Sequence, residues 1–114
     1  MTLSEKRCLF TRLLSSLILW AHDQGFELNF GEGYVAQTDA RDGDYDGPHR
    51  SGGAHYTGLG MDLNLFVDGK WVSDGSHVVW TVIGVRWEGM NDLCRWGGRF
   101  NDANHFSLWH EGRS

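Results

Sequence analysis

The chain has 114 residues, enough for one domain with a real core, and 40% apolar with 13% aromatic residues excludes a disordered segment. A net charge of −5 without any basic block excludes a phosphate-backbone partner, so no nucleic acid is expected. Cys8 and Cys94 are too far apart for a CxxC pattern, which leaves two buried thiols rather than a disulfide framework or a cysteine zinc site.

Met1 to Arg7 is charged, and the apolar run Leu13 to Ala21 is broken by Ser15 and Ser16 and is too short to cross a bilayer. No signal peptide and no stable membrane insertion are expected. The chain should stay in the cytoplasm on synthesis unless something exports or releases it. Cys8, Leu9, Leu13, Leu14, Leu17, Ile18 and Ala21 recur at steps of three and four, the stripe of an amphipathic helix packed on a sheet. Ser4 is the expected N-cap, Glu5 suits the positive end of the helix dipole, and Gly25 is the expected stop.

Phe26 to Phe30 (FELNF) alternates apolar and polar residues, as a half-buried strand does, and Glu32 to Val35 extends or ends it. From Gln37 to Ala54 the chain is polar and glycine-rich, which predicts a long loop. Its acidic cluster, Asp39, Asp42, Asp44 and Asp46, reads either as a solvated loop or as a calcium site, although the spacing is not that of an EF-hand. Met61 to Val67 (MDLNLFV) has the period of a strand, Asp68-Gly69 is a hairpin signal, and Lys70 to Val72 returns. Ser73 or Ser76 is expected to cap a helix from His77 to about Met90, with Val79, Val82, Ile83 and Trp87 facing inward. Arg95 to Phe100 (RWGGRF) reads as a glycine-broken turn, and Asn104 to Trp109 (NHFSLW) as a last short strand. This order predicts a small single α+β domain over 1–114, an antiparallel sheet flanked by helices.

Two blocks carry candidate chemistry. In HYTGLGMD, His55 ends the loop and Asp62 sits on the following strand, while Gly58 and Gly60 let the backbone turn and approach closely. A strand places Asp62 and Asn64 on one face and Met61, Leu63 and Leu65 on the other. A carboxylate among apolar neighbours needs a partner, and a metal ion is one; an exposed strand face with an unrelated histidine is the alternative. In the second block, Asp102 and His105 are three apart and converge if the chain turns between them. Catalytic zinc needs three protein ligands, an open position, and a separate group to take a proton. His55, Asp62 and His105 would supply the ligands and Asp102 the base; an N-cap aspartate and a surface histidine are the alternative. Of the other histidines, His49 lies in the loop before His55, His77 fits a helix's first turn, and His110 a surface position. Trp96 is expected under the metal strand, and Trp71 and Trp109 either line a groove or pack in the core.

His55, Gly58 and Asp62 followed by DLNLF resemble the first metal motif of the zinc D-Ala-D-Ala carboxypeptidase and L-alanyl-D-glutamate endopeptidase family. Trp96 to Phe106 (WGGRFNDANHF) resembles its second. The likeness extends to the first helix ending in Trp20-Ala21, to Gly25-Phe26 and to the GEGY turn, and is nearest to compact phage and prophage endolysins. The resemblance implies zinc held by His55, Asp62 and His105, Asp102 as catalytic base, and a peptidoglycan stem peptide as substrate, cut by a monomer that reaches the wall after release. Many relatives carry Arg after the tyrosine that is Tyr34 here and Ser two before the first histidine; this chain has Val35 and Gly53. Tyr34 and Arg50 are the candidate substrate-binding residues, with Arg50 or Arg41 as the replacement cation. A catalytically impaired, zinc-containing wall-binding or structural phage protein is the alternative function.

Overall fold

The computed structural model describes residues 1–33 and 54–114, except for the side chains of His55 and Tyr56. The expected loop before Ala54, its acidic cluster, His49, and Tyr34, Val35, Arg41, Arg50 and Gly53 lie outside the described residues.

The chain runs α1 (Leu3–Asp23), β1 (Glu27–Phe30), a single turn α2 (Ala54–Thr57), β2 (Gly60–Val67), β3 (Lys70–Trp71), α3 (Val78–Met90), β4 (Cys94–Trp96) and β5 (His105–Leu108). A 3-10 turn, Gly97–Phe100, separates the last two strands. The expected α+β class, with an antiparallel sheet flanked by helices, is what forms. The sheet order is β1-β2-β5-β4, with β3 also on β2. Phe66 pairs with both Glu27 and Trp71, so β1 and β3 lie on opposite edges of β2. Asp62 bonds the chain after β1 through Gly31 and Glu32 and pairs with His105, so β5 shares the β3 edge.

Helix α1 begins two residues earlier than its serine suggests. Thr2, not Ser4, is the N-cap: its hydroxyl accepts from Glu5 N, and the Glu5 carboxylate accepts from Thr2 N. Hydrogen bonds from Thr2 hold the Glu5 carboxyl below its ordinary value. The expected stop at Gly25 holds, because Phe26 N donates to Ala21 O and Gly25 N to His22 O while Gly25 takes φ +92°. The buried stripe is Phe10, Leu14, Leu17 and Ala21; Cys8 is exposed, which corrects the expectation of two buried thiols. In α3, Trp80 is buried and Val82 exposed, against the predicted stripe. His77 is itself the cap, its Nδ1 accepting from Val79 N, while Ser76 is engaged with the Asp74 carboxylate. The hairpin turn has φ +53° at Asp68 and +77° at Gly69, the left-handed pair that matches strand twist.

Both long helices cover one face of the sheet. Leu28, Leu63, Leu65, Phe106, Leu108 and Trp96 belong to the core there. Trp87 of α3 is fully buried, edge-on to Phe10 and Phe106 at 5.9 and 6.2 Å, and its indole donates to the carbonyls of Arg95 and Ser107. Trp96 lies flat on the backbone of α3, where a Cβ on Gly84 would come within 2.1 Å of its ring. Among the described residues, no helix is long and apolar enough to cross a membrane.

Two outcomes follow from this packing. In an exposed helix Gly→Ala gains up to about 1 kcal/mol, but at Gly84 the added methyl must displace Trp96, and overpacking costs about 1–3 kcal/mol. Urea unfolding of Gly84→Ala is expected to show a net loss of stability; a gain would refute the Trp96 contact. Burial pushes the Cys94 thiol up from 9.0 to about 12. Between those values only the unfolded chain ionises this thiol, so its contribution is intact below pH 9 and is lost as pH rises towards 12. Thiol labelling near neutral pH is expected to be fast at Cys8 and to wait for unfolding at Cys94.

Candidate metal site

The alternation that buries Leu63 and Leu65 turns Asp62 to the opposite face of the sheet, away from α1 and α3. In β5, Phe106 and Leu108 face the core, which turns His105 the same way as Asp62. The register then places Asp62 directly opposite His105. His105 Nδ1 lies 3.2 Å from Asp62 Oδ1, with the two side chains only 11% and 15% exposed. Whether this contact is a hydrogen bond from His105 depends on the tautomer of the ring.

Asp102 reaches the same place through a tight loop. The 3-10 turn after Trp96 is closed by Asn101 in the left-handed region, φ +61°. Asp102 N donates to Gly97 O at 2.9 Å, and His105 N donates to Asp102 O at 3.0 Å. The Trp96 indole donates to Ala103 O at 2.7 Å, tying the loop to the buried ring. Asp62, Asp102 and His105 thereby form a group in which one ligand atom from each lies within 4.8 Å of the others.

Two glycines leave room for His105. A Cβ on Gly97 would meet Asp102 O at 2.3 Å and His105 Cβ at 2.7 Å. A Cβ on Gly60 would meet Ala54 Cβ at 2.9 Å and His105 Cε1 at 3.1 Å. The expected role of Gly58 and Gly60 is thus borne out, with Gly58 at φ +75°. Gly97 went unrecognised, although its place in WGG beside a candidate ligand is a signal for close backbone approach.

The donor set suits a divalent metal, since imidazole and carboxylate oxygens are ordinary ligands of zinc. Zinc bonds of about 2.0–2.1 Å at tetrahedral angles put neighbouring donors about 3.3 Å apart. The 3.2 Å between His105 Nδ1 and Asp62 Oδ1 matches that spacing. Of the predicted site, Asp62, Asp102 and His105 are brought together. The backbone of His55 lies in α2, whose Ala54 packs on Gly60 next to His105. The side chain of His55, with Tyr34 and Arg50, falls outside the described residues.

The other described histidines have partners of their own. His22 Nε2 accepts from Leu28 N, His77 caps α3, and His110 Nδ1 lies 3.1 Å from Lys6 Nζ. Beside Asp102 is a groove of about 260 Å³. It lies where β5 and β3 leave the same edge of β2, with Leu63 and Trp80 among its lining. Trp71 lines it and is 64% exposed, so of its two expected settings the groove is the one observed. No protein-family model matches the chain, and no curated protein matches it.

A divalent metal that binds the folded chain alone stabilises it by about 2.7 kcal/mol at a hundredfold excess over Kd. The expected result is a rise in melting temperature on adding zinc, absent in His105→Ala and reversed by chelator. An equal rise in wild type and variant would rule out this group as the ligand set.

Proposed function

We propose that this chain is a zinc-dependent peptidase that hydrolyses an amide bond in peptidoglycan stem peptides, in the manner of a phage or prophage endolysin. The observation that carries the proposal is the cross-strand pair of Asp62 and His105 with Asp102 beside it. The two motifs that resemble the zinc carboxypeptidase and endopeptidase family converge there, in separate strands 43 residues apart. The packing of Ala54 on Gly60 supports His55 as the third ligand, since it brings the start of α2 next to His105.

Asp62, His105 and His55 would hold the metal, and the burial of the Asp62 and His105 side chains limits the geometries open to these two. Bound zinc supplies Lewis acidity, which polarises a carbonyl oxygen and lowers the pKa of a water. Asp102 is exposed, so its carboxylate is open to solvent and substrate. It takes the proton of the attacking water at a carboxylate oxygen and returns it to the leaving nitrogen as the C–N bond breaks. The loop hydrogen bonds at Gly97 and His105 set where that carboxylate sits before substrate arrives. His105 is held from behind by Gly97 and from the side by Gly60, which limits its movement.

Asp102→Asn separates the base from a ligand. The variant is expected to retain about one zinc per chain by elemental analysis and to lose 10²–10⁴-fold in release of free amines from purified peptidoglycan, the usual range for general acid–base catalysis. Loss of zinc together with activity would make Asp102 a ligand. Zinc without turnover in the wild type on several wall types would favour a binding or structural protein.

A further inference from the structure

The groove beside Asp102 has an unusual chemistry for a peptide site. Its side-chain polar groups are the amides of Asn64, Asn101 and Asn104 and the hydroxyl of Ser73. Among the described residues that line it, Asp102 is the one charged group. Asn64 donates to Asn29 Oδ1 at 2.9 Å, which fixes its amide. Among the described residues, no protein group hydrogen-bonds the side chains of Ser73, Asn101 or Asn104, so all three are available to a ligand. The ring of Trp71, 64% exposed at the end of β3, forms one side. At about 260 Å³ the groove is slightly below the roughly 300–1,000 Å³ of small-molecule pockets, so it holds one ring-sized group.

A stem peptide is a poor match for this lining. Its glutamyl carboxylate would face Asp102, and among the described lining residues no cation is there to meet it. An amino sugar carrying an N-acetyl group is a good match. Its hydroxyls and acetamide are neutral and both give and accept hydrogen bonds, as asparagine amides do. The C–H face of a pyranose is apolar and stacks on an exposed indole, which offers a large rigid surface at little entropic cost.

We propose that the groove between β3 and β5 is a saccharide subsite that seats one N-acetylated amino-sugar ring against Trp71 and the three asparagines, next to Asp102. The proposal rests on the peptidase reading for its substrate but not for its test. A saccharide seated beside the base places the attacked bond near the sugar-linked end of the peptide. Glycan-bound stem peptide is then a better substrate than the free peptide, and Trp71 is a specificity-determining residue with no part in the proton transfer.

The direct test uses the whole chain and N,N′-diacetylchitobiose, a saccharide without peptide, titrated in wild type, Trp71→Ala and Asn101→Ala while the indole N–H signals are followed by NMR. Saturable binding is expected in the wild type, weakened at least tenfold in Trp71→Ala and several-fold in Asn101→Ala, with zinc content unchanged in both. Trp71 is exposed on a two-residue strand, and an unchanged melting temperature is expected for its variant. In hydrolysis, Trp71→Ala should raise KM for a disaccharide-linked peptide and leave kcat and all constants for the free peptide as they are. Absence of saccharide binding in the wild type, or equal binding in wild type and Trp71→Ala, overturns the proposal. Equal loss on both substrates assigns the groove to the peptide and also overturns it. If the wild type cleaves neither substrate, the peptidase reading fails, while the saccharide titration still decides the groove.

Discussion

The register between β2 and β5 is the constraint on which the site depends. Met61 faces Phe106 and Asp62 faces His105 because Leu63, Leu65, Phe106 and Leu108 must all turn to the helices. A slip of one residue would send these apolar side chains to the open face and the polar ones into the core. Burial of apolar side chains is worth about 1.5–3 kcal/mol each, so the hydrophobic pattern excludes such a slip with a wide margin. The contact between His105 and Asp62 is a consequence of that register. Neither side chain has to drive the pairing that brings them together.

A second consequence concerns Asp102. It is three residues from His105, yet its position is governed by Trp96, which lies flat on α3 and accepts no side chain at Gly84 or Gly98. The indole of Trp96 holds Ala103 O, and Gly97 O holds Asp102 N. The loop is therefore anchored to the core at its start and in its middle, and it delivers an exposed carboxylate to a defined place. Helix α3, through Gly84, thus contributes to the placement of Asp102.

The two faces of the sheet divide the labour. One is closed by α1 and α3 and supplies stability. The other carries Asp62, Asn64 and His105, and the gap between β3 and β5 opens beside it. Because β3 has only two residues, the β2 edge is covered at its two ends by different strands, and the groove forms in between. A proposed catalytic group and a tryptophan-walled groove come to lie side by side through the short length of one strand.

Much of this was legible in the sequence because it is local or periodic. The strand alternation in MDLNLFV, the Asp68-Gly69 turn, the stop at Gly25 and the two long helices each depend on neighbours within a few residues. The candidate metal and base residues, Asp62, His105 and Asp102, were also legible as residue types at suggestive spacings. Errors came where a local signal met a competitor. Ser4 was displaced as cap by Thr2, which has Glu5 at the right distance for a reciprocal pair, and His77 took the cap while Ser76 bonded Asp74. Cys8 and Val82 fall at helical spacings, but Phe10 and Trp80 bury more area and decide which way each helix is turned. Strand β4 was hidden because its three residues adjoin a glycine pair that reads as a turn. The sequence by itself determined the kinds of element and the chemistry on offer, since both follow from side-chain type and short-range period. Only the tertiary structure decided that Asp62 stands opposite His105, that Gly60 and Gly97 make room for that histidine, and that a groove opens beside Asp102. Most of those outcomes rest on contacts between residues tens of positions apart, and such packing leaves no periodic trace in the chain.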